Sequence, residues 1–133
     1  MFERTPEAGL LDVVEQEGIG CAVFSPLAQG LLTDRYLQGI PSDARAGKPH
    51  GFLRPEQIDD ARLAKVRALG ALAAERGQPL ASLALAWVLR DRRVTSAIIG
   101  ASKVSQLEQC VAAASSAPLS SEELKRIDAI LAA

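Results

Sequence analysis

The chain has 133 residues, enough for one domain with a hydrophobic core and too few for a large closed barrel. Its 16 acidic and 15 basic residues leave a formal charge of −1, which argues against nucleic acid and anionic membrane as partners. His50 is the single histidine, so a metal site built from several histidines is excluded. Cys21 and Cys110 form no CxxC motif, and no apolar run approaches membrane-spanning length, so we expect a cytoplasmic protein with no metal site.

The first part of the sequence predicts a helix, a strand and a long loop. Thr5 as N-cap and Pro6 at the first helical position begin the helix, and Gly18 ends it. Residues 20–24 are an apolar run of the kind typical of a strand buried on both faces. Residues 25–55 are rich in glycine and proline, which predicts a loop whose length is usually functional or disordered.

The remainder predicts four helices and a second strand. The helices are expected over residues 55–77, 80–88, 102–114 and 120–131, with the strand over residues 94–99. Ser120 followed by Glu123 forms a capping box at the last helix. Strands alternating with helices imply a parallel α/β sheet, and two strands are too few to close one. We therefore expect the chain to be part of a larger structure or to find strands in a partner.

The segment between the second strand and the next helix has the clearest chemical signal. Gly100 gives a turn, Ser102 is expected to begin the helix, and Lys103 is expected in its first turn. Unpaired backbone N–H groups and the positive end of the helix dipole meet there, which suits a phosphate. Taken alone, this segment favours the ordinary alternatives, in which Ser102 is an N-cap and Lys103 a solvated lysine, over a phosphate site.

A second segment adds to this signal. Residues 24–33, FSPLAQGLLT, follow the first predicted strand. They correspond in position to the turn and helix start after the second strand, residues 99–102 with the first residues of the helix, which we call the corner. This pair of motifs resembles the aldo-keto reductases, in particular the group of L-glyceraldehyde 3-phosphate reductases and potassium-channel β subunits. The resemblance extends through residues 36–41, 83–89 and the last helix. It implies an α/β fold that is a C-terminal fragment of a (β/α)8 TIM barrel, with about two parallel strands and five helices. Residues 1–133 would form that C-terminal part, and residues 25–55 the region covering the cofactor.

The resemblance also implies a cofactor, NADPH (or NADP+), bound without a Rossmann fingerprint. It assigns cofactor contacts to the first loop, to two arginines and to the corner: Ser25, Pro26, Leu27 and Ala28; Arg35 and Arg45; and Gly100, Ser102, Lys103, Gln106 and Gln109. From the sequence alone, both arginines also fit solvated loop residues. The family pattern LxEN reads LEQC at residues 107–110 here, so Gln109 takes the place of the acidic residue.

The implied activity of the full-length protein is reduction of small aldehydes or ketones, with glyceraldehyde 3-phosphate a candidate substrate. The family's catalytic Tyr, Asp, Lys and His come from the first half of the barrel, and no residue here is assigned a catalytic role, neither Tyr36 nor His50. We expect this polypeptide alone to be inactive. The alternatives are a non-catalytic NADPH-sensing or channel-β-subunit-like interaction protein and a degenerate inactive fragment. Exposed strand edges and helix faces predict an oligomer, or a rearranged helical packing.

Overall fold

A computed structural model describes residues 1–41 and 53–133 of the chain. Within these ranges there are five α-helices and two β-strands, as the sequence predicts. In chain order they are α1 (Leu10–Gln16), β1 (Ala22–Phe24), α2 (Asp60–Glu75), α3 (Leu80–Leu89), β2 (Ser96–Ile98), α4 (Val104–Ala114) and α5 (Ser121–Ala132). The same ranges contain four short 3-10 turns, at Thr5–Glu7, Ala28–Gly30, Asp34–Tyr36 and Pro55–Gln57.

The two strands form a parallel sheet, which confirms the predicted pairing. Val23 lies opposite Ala97, and Phe24 lies opposite Ile98, so the two strands end at the same level. Thr95 extends the contact, because its hydroxyl accepts a hydrogen bond of 2.9 Å from the Cys21 N–H. The long connection between parallel strands carries α2 and α3, the usual helical crossover of such a pair.

Short-range signals in the sequence decide where helix α2 begins and ends. Asp59 is the N-cap of α2, and its carboxylate accepts a hydrogen bond of 2.6 Å from the Arg62 N–H. At the other end Gly77 has φ +66°, and the Gln78 N–H donates to the Ala73 carbonyl at 3.1 Å. This left-handed glycine closes a Schellman-type end, which a residue with a Cβ would strain. The helix therefore stops where the sequence predicts.

The core lies between α2, α3 and α5, not around the sheet. Val66, Leu69, Leu83 and Ile127 are completely buried in it. The segment after β1 contributes Leu31, Leu32 and Tyr36 to the same cluster. Because all three helices contribute buried side chains to the cluster that contains Leu31, Leu32 and Tyr36, they hold the loop after β1 in place.

Aromatic and ionic contacts fix the N-terminal turn against the end of α3. The guanidinium of Arg90 lies 3.6 Å from the centre of the Trp87 ring, and that of Arg4 lies 5.3 Å from it. Glu7 pairs with both arginines, at 2.6 Å to Arg4 and 3.4 Å to Arg90. Cation–π contacts of this kind contribute about 0.5–2 kcal/mol each, depending on how far the charge is removed from water.

Two predictions about the first helix and strand are wrong. Thr5 is not an N-cap: its hydroxyl and N–H bond to Glu3, and a 3-10 turn precedes a helix that begins only at Leu10. Gly9, with φ +116°, separates the turn from the helix. Strand β1 is not buried on both faces, since Phe24 is 79% exposed. Helices cover one face of the sheet, and no other element of residues 1–41 and 53–133 covers the second.

Two later boundaries also differ from the predictions. Pro55 begins a 3-10 turn rather than α2, because the chain first passes through Ile58 with φ −105° and ψ 64° before the Asp59 cap. Ser102 is not the N-cap of α4. Lys103 occupies that position with extended backbone angles and no capping side-chain bond, so it precedes the first turn. Arg45 and His50 lie outside the described residues.

Candidate functional site

The candidate site begins at the carboxyl ends of the two strands. Because β1 and β2 are parallel and end opposite each other at Phe24 and Ile98, the chain leaves both at one edge of the sheet. The first loop starts with Ser25 and the second with Ile99. Ligand sites of parallel α/β structures lie in this position. Strand pairing thus brings both motifs singled out in the sequence to the same edge.

The first loop is tightly wound and held by its own polar groups. Ser25, Ala28 and Gln29 have positive φ angles of 50°, 48° and 60°. The Gln29 amide donates a 2.7 Å hydrogen bond to the Ser25 hydroxyl, and the Ala28 N–H donates to the Ser25 carbonyl at 2.9 Å. Non-glycine residues in this conformation are strained by about 1–3 kcal/mol each and cluster at ligand sites. Gln29 was not among the residues predicted from the sequence.

Apolar side chains anchor the same loop. Pro26 is buried, and Leu27 and Ala28 pack against the core. Their side chains are consequently turned to the protein, so a ligand at this loop would meet backbone groups and the polar side chains of Ser25 and Gln29. Pro26, Leu27 and Ala28 could therefore contact a cofactor through their backbone atoms, because their side chains face the protein interior.

The second loop is organised by Gln106 from the first turn of α4. Its side-chain oxygen accepts hydrogen bonds from the Ser102 N–H at 2.9 Å and from the Ser102 hydroxyl at 3.2 Å. This contact fixes the loop above the helix N-terminus, where backbone N–H groups lack intrahelical partners. Lys103 lies at the cap itself, exposed, and its ammonium has no ion-pair or hydrogen-bond partner within residues 1–41 and 53–133. The cap therefore presents an exposed positive charge beside the positive end of the helix dipole.

Gln109 and Cys110 lie further along α4, three and four residues after Gln106. This spacing puts all three on one side of the helix. Gln109 is exposed and Cys110 is half-buried. Burial raises the pKa of the Cys110 thiol above its ordinary value, so the group is neutral near pH 7 and behaves as a small apolar residue.

The aromatic and basic groups after the first loop have different surroundings. Arg35 is exposed in the 3-10 turn Asp34–Tyr36, whose N-cap Thr33 accepts a hydrogen bond from the Arg35 N–H. Tyr36 is 1% exposed, and its hydroxyl lies 3.4 Å from the Gln29 carbonyl. A phenol held in the core in this way packs as a structural group.

The arrangement suits an anion and offers little for acid–base chemistry. Buried acid–base pairs of the catalytic kind are absent from the described ranges, where most carboxylates near the sheet pair with arginines, such as Asp91 with Arg93 at 2.6 Å. The hydrogen bonds from Arg93 hold the pKa of Asp91 down at about 2. The same part of the chain contains no group of three metal-ligating residues, and none of its helices has the length and apolarity needed to cross a bilayer.

The family match and the most similar curated proteins agree with one another. Residues 1–132 match the Aldo/keto reductase family. The chain is 46% identical over 125 residues to the L-glyceraldehyde 3-phosphate reductase of Escherichia coli strain K12, covering 92% of this chain and 36% of that protein. It is 39% identical over 122 residues to a probable voltage-gated potassium channel subunit beta of Arabidopsis thaliana, covering 90% of this chain and 37% of that protein.

Solved structures agree with these matches. A glycerol dehydrogenase from Gluconobacter oxydans superposes with a TM-score of 0.79 at 31% identity, covering 98% of this chain and 39% of that structure. The holo form of an aldo-keto reductase from Bacillus halodurans gives 0.70 at 26% identity, covering 97% and 39%. The chain thus spans little more than a third of its relatives, and its fold corresponds to part of a (β/α)8 barrel. The chain belongs to the aldo/keto reductase family.

Proposed function

We propose that residues 1–133 are the C-terminal, NADPH-binding part of an aldo-keto reductase barrel, with residues 25–55 covering the cofactor. In the full-length form this barrel reduces small aldehydes or ketones to alcohols. Similarity to L-glyceraldehyde 3-phosphate reductase at 46% identity makes a small phosphorylated aldehyde the first substrate to test. The proposal places the protein in the cytoplasm, with a small carbonyl compound as its partner.

One observation supports the proposal most directly. The two loops that carry the family motifs leave the same edge of a parallel strand pair, at Phe24 and Ile98. The first presents backbone groups in a strained turn, and the second presents a helix N-terminus with the exposed Lys103 beside it. Two anion-binding elements at one sheet edge match a dinucleotide with phosphates at separate positions.

The residues of this chain can be given distinct binding roles. The turn after β1, with Ser25 and Gln29, would hold the pyrophosphate and ribose, while Ser102 and Lys103 would hold the adenosine 2′-phosphate. Gln106 positions Ser102 through two hydrogen bonds to its side-chain oxygen, and its amide N–H groups, which those bonds do not use, would donate to the ligand. Gln109, exposed on the same side of α4, would contact the adenine. Arg35 and Gly100 complete the set among the described residues, and Arg45 is proposed from the sequence alone.

The nicotinamide, when bound, would supply the hydride for carbonyl reduction. Such a transfer also needs a proton donor within hydrogen-bond reach of the carbonyl oxygen. Tyr36 does not meet this need, because its hydroxyl is buried against the Gln29 carbonyl. We therefore assign binding and orientation to this chain and the acid–base step to other parts of a complete barrel.

A second function is supported by the similarity to the potassium channel subunit of Arabidopsis thaliana. In that case NADPH binding would be sensory and the chain would act through a protein partner, without turnover. A degenerate fragment with no ligand is the third alternative. Binding of NADPH by the isolated chain excludes the degenerate fragment, and carbonyl-dependent NADPH oxidation by a complete barrel separates the enzyme from the sensor.

The decisive experiment is a fluorescence titration of the chain with NADPH, with NADH as the ligand that lacks the 2′-phosphate. We expect saturable binding that prefers NADPH and that Lys103→Ala or Ser102→Ala weakens by about 1.5–3 kcal/mol, roughly 10- to 150-fold. Lys125→Ala, at an exposed lysine of α5, is the matched control and should leave binding unchanged. Equal affinity for NADH and NADPH, or no effect of either corner variant, would contradict the assignment of the phosphate site.

A further inference from the structure

The turn after β1 is strained at several positions and therefore needs support from residues outside it. Ser25, Ala28 and Gln29 have positive φ angles, and Gly30 follows them with φ +95°. Non-glycine residues persist in this conformation only where the surrounding structure fixes them. Within the turn, the Gln29 amide donates a hydrogen bond of 2.7 Å to the Ser25 hydroxyl. Further contacts come from the segment that follows the turn.

Thr33 makes the shortest of these further contacts. Its hydroxyl donates a hydrogen bond of 2.6 Å to the Gly30 carbonyl. The same oxygen accepts a hydrogen bond of 3.2 Å from the Arg35 N–H, because Thr33 is the N-cap of the 3-10 turn Asp34–Tyr36. One half-buried hydroxyl thus joins the end of the strained turn to the backbone of the basic residue that the proposed function assigns to the cofactor.

Tyr36 supports the same turn by packing. Its ring lies 3.5 Å from the place that a Cβ on Gly30 would occupy, so ring and backbone approach closely there. Its hydroxyl lies 3.4 Å from the Gln29 carbonyl, which is long for a hydrogen bond between two oxygen atoms. The ring is 1% exposed and belongs to the core cluster. Thr33 consequently provides the directed polar contact, and Tyr36 provides the surface against which the turn rests.

The chemistry of a hydroxyl limits what Thr33 can do. A threonine side chain has one proton to donate, and Thr33 donates it to the Gly30 carbonyl. The hydroxyl therefore has no second proton for a phosphate oxygen. An effect of Thr33 on a bound anion must accordingly pass through the conformation of the turn.

We propose that Thr33 is a positioning residue of the cofactor site, whose hydroxyl fixes the turn of residues 25–30 in the conformation that binds pyrophosphate and ribose. The inference rests on the proposed function, which assigns those groups to this turn. A turn that is already fixed binds without an ordering cost, whereas a turn released at Gly30 must be ordered when the ligand binds. Because NADPH and NADH share the pyrophosphate and ribose, Thr33 should affect both ligands by the same factor.

The first test is a fluorescence titration of the chain and three variants with NADPH and with NADH. Thr33→Val keeps the shape of the side chain without the hydroxyl and should weaken both ligands about tenfold, leaving their ratio within about twofold of wild type. Thr33→Ser keeps a hydroxyl and should bind both ligands within about threefold of wild type. Ile127→Val, a mild truncation in the core, should lower stability and leave both affinities unchanged.

The second test is amide hydrogen exchange without cofactor, which measures the turn directly. The Leu31 and Leu32 N–H groups donate to carbonyls of the turn, both at 3.1 Å, and so report whether it is closed. Thr33→Val should speed the exchange of these two amides at least about threefold, and Thr33→Ser should not. The Val66 amide inside α2 should change less, which separates local opening of the turn from a general loss of stability.

Four results would overturn the inference and leave the proposed function standing. They are wild-type affinity of Thr33→Val for both ligands, weakening of NADPH alone, equal weakening by the valine and serine variants, and equal weakening by Ile127→Val. The second would place Thr33 at the 2′-phosphate, and the last would reduce it to a residue of general stability. Absence of NADPH binding by the wild-type chain would overturn the proposed function and this inference with it, so the wild-type titration distinguishes the two failures.

Discussion

Replacement of Ile127 by alanine tests whether the helical core forms without further strands. Ile127 of α5 has no exposed surface and lies in the cluster between α2, α3 and α5. Truncating a buried isoleucine to alanine costs about 2–5 kcal/mol, because burial is lost and a cavity remains. Domains of this size are stable by roughly 5–15 kcal/mol. We expect a loss of about 3 kcal/mol for Ile127→Ala, which is a substantial fraction of the total.

Urea unfolding followed by tryptophan fluorescence measures this loss. Trp87 is the single tryptophan, lies in the same cluster, and is 4% exposed, so its emission reports the core. With a slope of about 1.5 kcal/mol per molar urea, a loss of about 3 kcal/mol lowers the midpoint by about 2 M. Ile98→Ala is the matched control, because it removes the same atoms from an exposed strand position and should cost less than about 1 kcal/mol. If the two variants shifted the midpoint equally, the core would not lie between these helices.

Two further predictions concern helix ends. Gly77→Ala should destabilise the chain by about 1 kcal/mol, because the position has φ +66°. Gly70→Ala, inside α2 with nothing within 4 Å of the added Cβ, should stabilise it by a similar amount. If thermal melts shifted the melting temperature of both variants in the same direction, α2 would end elsewhere. Hydrogen bonds from the Ser120 N–H and from Arg76 lower the pKa of Glu123 from 4.5 to about 2. The free energy of unfolding that this carboxylate contributes is therefore fully present above pH 4.5 and is lost as the pH falls towards 2. The stability difference between the wild-type chain and Glu123→Gln should accordingly shrink over that range in urea titrations, and a difference that grew on acidification would be incompatible with the capping box.

Local signals in the sequence predicted much of the fold. The capping box of Ser120 and Glu123 and the glycine at position 77 act within four residues, and the structure confirms the helix ends that they predict. Thr5 and Ser102 misled the prediction because N-cap residue types also occur just outside helices. Thr5 bonds back to Glu3, and Ser102 is held by Gln106. These choices depend on side chains that compete for the same backbone groups.

Burial of the strands could not be predicted for a different reason. The apolar run at residues 20–24 indicates a strand covered on both faces, yet Phe24 is exposed, because coverage depends on elements that the sequence pattern of β1 does not contain. The candidate site was predicted largely by resemblance, and the assigned contacts remain predictions. Its geometry was not predicted: Gly30, with φ +95°, is the one glycine of the turn, whereas Ser25, Ala28 and Gln29 adopt positive φ angles that their residue types do not indicate.

The distance along the chain between the paired strands has a consequence for synthesis on the ribosome. Cys21 and Thr95, which join the two strands, are 74 residues apart. At a translation rate of about 5–20 residues per second, β1 leaves the ribosome roughly 4–15 s before its partner strand exists. The helices of the core also follow β1, since α2 begins at Asp60. During this interval β1 lacks both its partner strand and the core helices that follow it, so the two strands cannot pair until most of the chain has been synthesised.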